Sequence, residues 1–119
     1  MDNNTIINIA KKYGYHINKY TLEGVIFDEE ELPLDKTLLT KEVPKQILGI
    51  SAEIQGSEDI FGIFTDADNP TVNNIIAIEV INMTNHTSEL LDLDLINLYD
   101  PLYDPKEEIK WILKIGIEL

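Results

Sequence analysis

The sequence predicts an α+β fold, a central antiparallel sheet with an N-terminal and a C-terminal helix, forming a single domain over residues 1–119. Three observations point to it. Near the start, IINIAKKY from Ile6 spaces its apolar residues as one helical face does. The middle of the chain is a series of β-branched apolar runs punctuated by Gly, Pro and Asn, which is how hairpins read. Near the end, Asp104-Pro105 opens a second helical pattern, EEIKWILKI. A chain of 119 residues with 44% hydrophobic content can bury a core without a disulfide or metal staple.

Taken in order, Asn3 or Asn4 is placed to cap the first helix, with Ile6, Ile7 and Ala10 on one face and Gly14 at its left-handed exit. YHINKYTLEGVIFD then suggests one or two strands broken at Gly24. The run Asp28–Glu31 repels itself, and Pro33 follows, so this stretch reads as a solvated loop or rim. KQILGISAEI and DIFGIFTD read as two strands of a hairpin turning at Gly56, and Asp66–Pro70 ends it. NNIIAIEVINM reads as a buried strand and residues 82–88 as loop. LLDLDLINLY alternates Leu91, Leu93 and Leu95 with Asp92 and Asp94, the period of a half-exposed antiparallel strand. About four to six strands are expected. In the stutter LYDPLYDP, the first Tyr99-Asp100-Pro101 reads as a turn out of that strand. In the second copy, Asp104, Pro105 and Glu107 supply cap, N1 and N3 of the last helix.

The net charge is −13, and its distribution is uneven. Residues 1–20 hold one acid and three Lys, residues 105–119 balance, and residues 21–104 hold 18 acids against three Lys. Such a field repels nucleic acid and anionic membrane, and it attracts a basic protein. Its bland function is solubility. With no Cys there is no disulfide framework and no thiolate nucleophile. The first residues lack the pattern of a secretion signal, and no run approaches the roughly 18 apolar residues of a membrane span. A cytoplasmic location is therefore expected, and the Asn-x-Thr triplets at Asn3, Asn82 and Asn85 carry no glycosylation argument.

Catalytic patterns do not emerge. Asp66-x-Asp68 and Asp92-x-Asp94 fail as calcium loops, because Pro70 and Ile96 stand at the next alternate positions. His16 and His86 are far apart in the chain for a zinc pair. No GxSxG, GxGxxG or phosphate-binding loop is present, and no Arg is available to grip a phosphate. Paired carboxylates for glycosidic chemistry cannot be singled out among 22 acids. The expectation is a protein that is not an enzyme and uses no cofactor or metal. Tyr13, Tyr15, His16, Lys19 and Tyr20 form the one aromatic-rich patch, and its tyrosines are expected to pack against the sheet with their hydroxyls at the rim.

Short, free of Cys and acidic from Glu23 to Asp104, the chain resembles in general character the small acidic immunity proteins of bacteria. These act against toxic nucleases, as in contact-dependent inhibition systems. The resemblance implies a monomer that joins a cognate basic toxin one to one and covers its cationic surface with carboxylates. The candidate partner-binding residues are Asp28, Glu29, Glu30, Glu31, Glu58, Asp59, Asp66, Asp68, Asp92 and Asp94. Two alternatives remain: an inhibitor mimicking nucleic acid, which asks for an elongated body, and an acidic secretion chaperone, which asks for a dimer with apolar grooves.

Overall fold

The computed structural model describes residues 1–93. Helix α1 (Asn3–Lys12) packs on a five-stranded sheet of β1 (Glu23–Asp28), β2 (Gln46–Glu53), β3 (Ile60–Asp66), β4 (Ile75–Asn82) and β5 (Thr87–Leu90). The strands follow one another in space as they do in sequence, each antiparallel to the next. The α+β class and the N-terminal helix thus follow the sequence. The stutter at 98–105 and the expected C-terminal helix lie outside the described residues. Among the described residues no helix is long and apolar enough to cross a membrane.

Helix α1 is defined at both ends by its own residues. Its cap is Asp2, one position before the expected asparagines: Oδ1 accepts from the Thr5 amide at 2.8 Å and the Thr5 hydroxyl at 2.7 Å. The Thr5 amide bond, then the hydroxyl bond, hold the Asp2 carboxyl below its usual range. Lys11 and Lys12 occupy the last turn, where the helix dipole favours cations. Gly14 takes φ +84°, which lets its amide reach the Lys11 carbonyl and the Tyr15 amide reach that of Ala10. Ile6, Ile9 and Ala10 form the buried stripe, and Ile7 is only half-buried. Each buried isoleucine is worth roughly 1.5–3 kcal/mol.

The sheet has two unequal faces because side chains alternate along a strand. Ile50, Ile63 and Ile78 stand opposite one another on β2, β3 and β4 and meet Ile6 and Ile9 of α1. The other face carries Ile47, Phe64 and Ala77, and the connection between β1 and β2 folds over them with Leu32, Leu34, Leu39 and Val43. That connection contains Pro33 and has one short helical turn, Lys36–Leu38. Asp35 caps this turn; bonds from the Thr37 hydroxyl and then the Thr37 amide lower its carboxyl pKa. A register shift between Phe64 and Thr65 leaves Ile76 without a partner, so Ile76 joins Ala77 on the loop side.

Three expectations are corrected. Gly24 does not break a strand: it lies inside β1 opposite Ile50, where even an added Cβ would meet Leu48 at an ordinary contact distance of 3.5 Å. Among the described residues the last strand is Thr87–Leu90, and Leu91–Leu93, the described start of the Leu/Asp alternation, leave the sheet; the rest of that alternation lies outside the described residues. The segment taken as loop contains a tight turn, where the Asn82 side chain accepts from the amides of Thr84 and Asn85 and His86 adopts φ 55°. Strand β5 begins as soon as that turn closes.

Candidate functional site

Antiparallel strands gather distant residues at their shared ends. The end of β1, the start of β2 and the end of β3 lie together, with Asp28 opposite Gln46 and Asp66 opposite Ile47. Asp28 and Asp66 therefore sit on the two strands flanking β2, with their backbones about 10 Å apart and, because Gln46 and Ile47 are consecutive, their side chains on opposite faces of the same end. Beyond Asp28 the chain turns, with the Glu31 amide donating to the Asp28 carbonyl at 2.9 Å and the Glu29 amide to the Lys45 carbonyl at 3.0 Å. Beyond Asp66, the Ala67 amide donates to the Gln46 carbonyl at 3.0 Å, and the Asp68 amide to the Asp66 carboxylate at 2.9 Å. Asp28, Glu29, Glu30, Glu31, Asp66 and Asp68 are thus brought to one end of the sheet.

That end also holds a cleft of about 460 Å³, lined by Glu29, Glu42, Asp66, Lys41 and Lys45 with Asn73 and Asn74. The lysines dilute the negative charge there without balancing it. Two exposed carboxylates about 10 Å apart repel by only about 0.4 kcal/mol in water, so the fold tolerates the crowd. Their fields nevertheless add over distances comparable to the Debye length, about 8 Å at physiological salt. Local repulsion stays small while the summed potential outside grows.

The remaining candidates do not join this group. Glu58 and Asp59 belong to the turn between β2 and β3, at the opposite end of the sheet. The eight residues of β2 separate the two ends by about 25 Å. Asp59 builds that turn: its carbonyl accepts from the Ile54 amide and its own amide donates to the Ser57 hydroxyl, both at 3.0 Å. Asp92 lies past the end of β5, on the acidic end but beside α1, where its backbone carbonyl accepts from the Tyr13 hydroxyl at 2.6 Å. Asp94 lies outside the described residues.

The aromatic patch divides. Tyr13 and Tyr15 pack into the core beneath α1, Tyr15 with its ring 5.9 Å from that of Phe61. Tyr20 does not pack; it is 85% exposed, with the Lys19 ammonium 5.2 Å from its ring. Among the described residues no group of three His, Asp or Glu side chains is placed to hold a metal ion.

One ionisable residue escaped the sequence reading. Glu79 lies in the middle of β4 and is 6% exposed, facing away from α1, and burial raises its pKa. Its signal was a lone carboxylate in the apolar run IIAIEVI. A surface strand would have alternated, so a single acid there marks either a buried charge or an uncovered patch.

No protein-family model matches the chain, and neither a curated protein nor a solved structure matches it.

Proposed function

We propose that this protein is an inhibitor of immunity or antitoxin type, which binds a basic protein through the acidic end of its sheet. The carrying observation is the convergence of Asp28–Glu31 with Asp66 and Asp68, residues far apart in sequence, on one end of a rigid sheet. Such a surface steers a cationic partner into encounter and orients it, and a toxic nuclease must carry the complementary lysines and arginines to hold phosphate. Glu58 and Asp59 are left out of this contact. The partner is the cognate toxin, the complex is one to one, and the site of action is the cytoplasm.

The extents of 40 × 35 × 26 Å favour this reading over a nucleic-acid mimic, whose carboxylates would run along an elongated body. Light scattering on the free chain separates it from a dimeric chaperone. The test is capture of a partner from source lysate on the immobilised full chain, followed by identification and stoichiometry. The reading expects a basic protein bound one to one, whose nuclease activity falls as the complex forms. An acidic or neutral partner, or undiminished activity in the complex, contradicts it.

A further inference from the structure

The described residues cover the sheet face opposite α1 along only part of its width, and the part they leave has a definite shape. Gly49 and Gly62 supply no side chains there. A Cβ on Gly49 would stand 2.8 Å from the Phe27 ring, and one on Gly62 would stand 3.4 Å from Cγ and 3.8 Å from Oε1 of Glu79. The two glycines therefore form a floor. Phe27 and Phe64, with ring centroids 6.3 Å apart, wall one side, and Ile60 and Ile81 wall the other. The resulting trough has a volume of about 180 Å³. Glu79 lies down across Gly62 and, among the described residues, is the one ionisable side chain lining it. Glu23 on β1 and Glu53 on β2 share this face at the rim, both exposed.

Glu79 is 6% exposed as a residue, no donor from the described residues reaches its carboxyl, and the carboxylate oxygens still meet solvent at the mouth of the trough, so the acid is partly desolvated on apolar walls and open to a partner. Burial raises its pKa, and it takes a cation readily once one arrives on an apolar stem. The trough is smaller than the roughly 300–1,000 Å³ that a whole organic ligand occupies, so it suits a single side chain. A lysine matches on both counts, with four methylenes for the phenylalanine and isoleucine walls and an ammonium for the acid. We infer that this trough is the receptor for one lysine side chain of the basic protein partner, its ammonium paired with Glu79. The inference rests on the proposed function for who supplies the lysine, but not for the chemistry of the site.

The site is testable without the partner. The isotope-labelled full chain is titrated at neutral pH with n-butylammonium, with neutral n-butanol and with Nα-acetyl-lysine methylamide, following the amides of Gly49 and Gly62 and the Glu79 carboxyl carbon. The ammonium and the lysine amide should bind about tenfold or more tighter than butanol, as a charge-assisted hydrogen bond allows. Both should move the Glu79 titration to lower pH. Glu79→Gln keeps the shape and should erase the preference for the cation, while Gly62→Val should fill the trough and abolish binding of all three. Equal binding of butanol and butylammonium overturns the inference, and so does an undiminished preference in E79Q. It is overturned too if butylammonium binds and the lysine amide does not, or if Glu79 in the free chain titrates below 4.5, its ordinary value, because a cation of the chain itself then fills the trough. Failure of the capture experiment with success here leaves the site standing and removes only the proposed partner.

Discussion

The two faces of the sheet are covered by different devices. On one, α1 brings Ile6, Ile9 and Ala10 at helical spacing onto Ile50, Ile63 and Ile78 and closes the middle of the face, while Ile26 at the β1 edge stays 62% exposed. On the other, a proline-interrupted connection lays down Leu32, Leu34, Leu39 and Val43 wherever its path allows, and the described residues leave part of the face uncovered. A helix repeats its apolar residues and so seals the strip of sheet directly beneath it. An irregular segment seals only beneath its own few side chains. The part left by the described residues then holds what a core would not tolerate: two floor glycines on neighbouring strands, a half-buried Phe27 beside a buried Phe64, and an unpaired acid.

The largest expected effect comes from weakening the closed face. Ile78→Ala, at a fully buried position, should cost about 2–5 kcal/mol in chemical denaturation. Ile81→Ala, three residues on and at the edge of the trough, should cost less than half as much. Equal losses would mean the two faces are equally sealed. Next come the floor glycines. Gly49→Ala forces a Cβ to 2.8 Å from the Phe27 ring and should cost about 1–3 kcal/mol, whereas Gly62→Ala meets its nearest atom at 3.4 Å and should change stability by less than about 1 kcal/mol.

A smaller effect separates the buried acid from an exposed one by pH. Burial raises the Glu79 pKa, so between its unfolded value near 4.5 and its higher folded value the folded chain holds a proton that the unfolded chain has lost. Stability from this group therefore falls as pH rises through that window. E79Q should flatten that fall and melt higher than the parent at neutral pH. Asp2 behaves in the opposite sense. The Thr5 bonds lower its pKa in the fold, so its contribution is present above 3.8 and is lost as pH falls through the folded value. Asp2→Ala should lower the melting temperature at neutral pH, by less than the core variants do, and should approach the parent at low pH.

How much of this was legible follows from what each segment has to satisfy. The β2–β3 hairpin was readable because both strands are buried between layers and Gly56, at φ +78°, punctuates them. Strand β4 was readable from its unbroken run of β-branched residues. Strand β5 was not: it is an edge strand of four residues, mostly exposed, and an edge needs no apolar alternation. The leucine–aspartate alternation is described only as far as Leu93, and that much of it lies outside the sheet. Leu91 and Leu93 instead pack against the α1-side core after the chain has left the sheet. For the site, acidity was legible but its arrangement was not. Ten acids looked alike in sequence, and only strand direction separates Asp28 and Asp66, at one end, from Glu58 and Asp59, at the other.

That separation of the two ends is the point at which the account is most exposed. With the captured partner in hand, the association rate is followed against ionic strength for the parent chain, for a variant carrying D28N, E29Q, D66N and D68N, and for one carrying E58Q and D59N. The account predicts that the first variant associates about tenfold more slowly at low salt with a flattened salt dependence, while the second tracks the parent once its smaller change in net charge is allowed for. Parallel curves for the parent and the first variant, or a greater loss in the second, would contradict it.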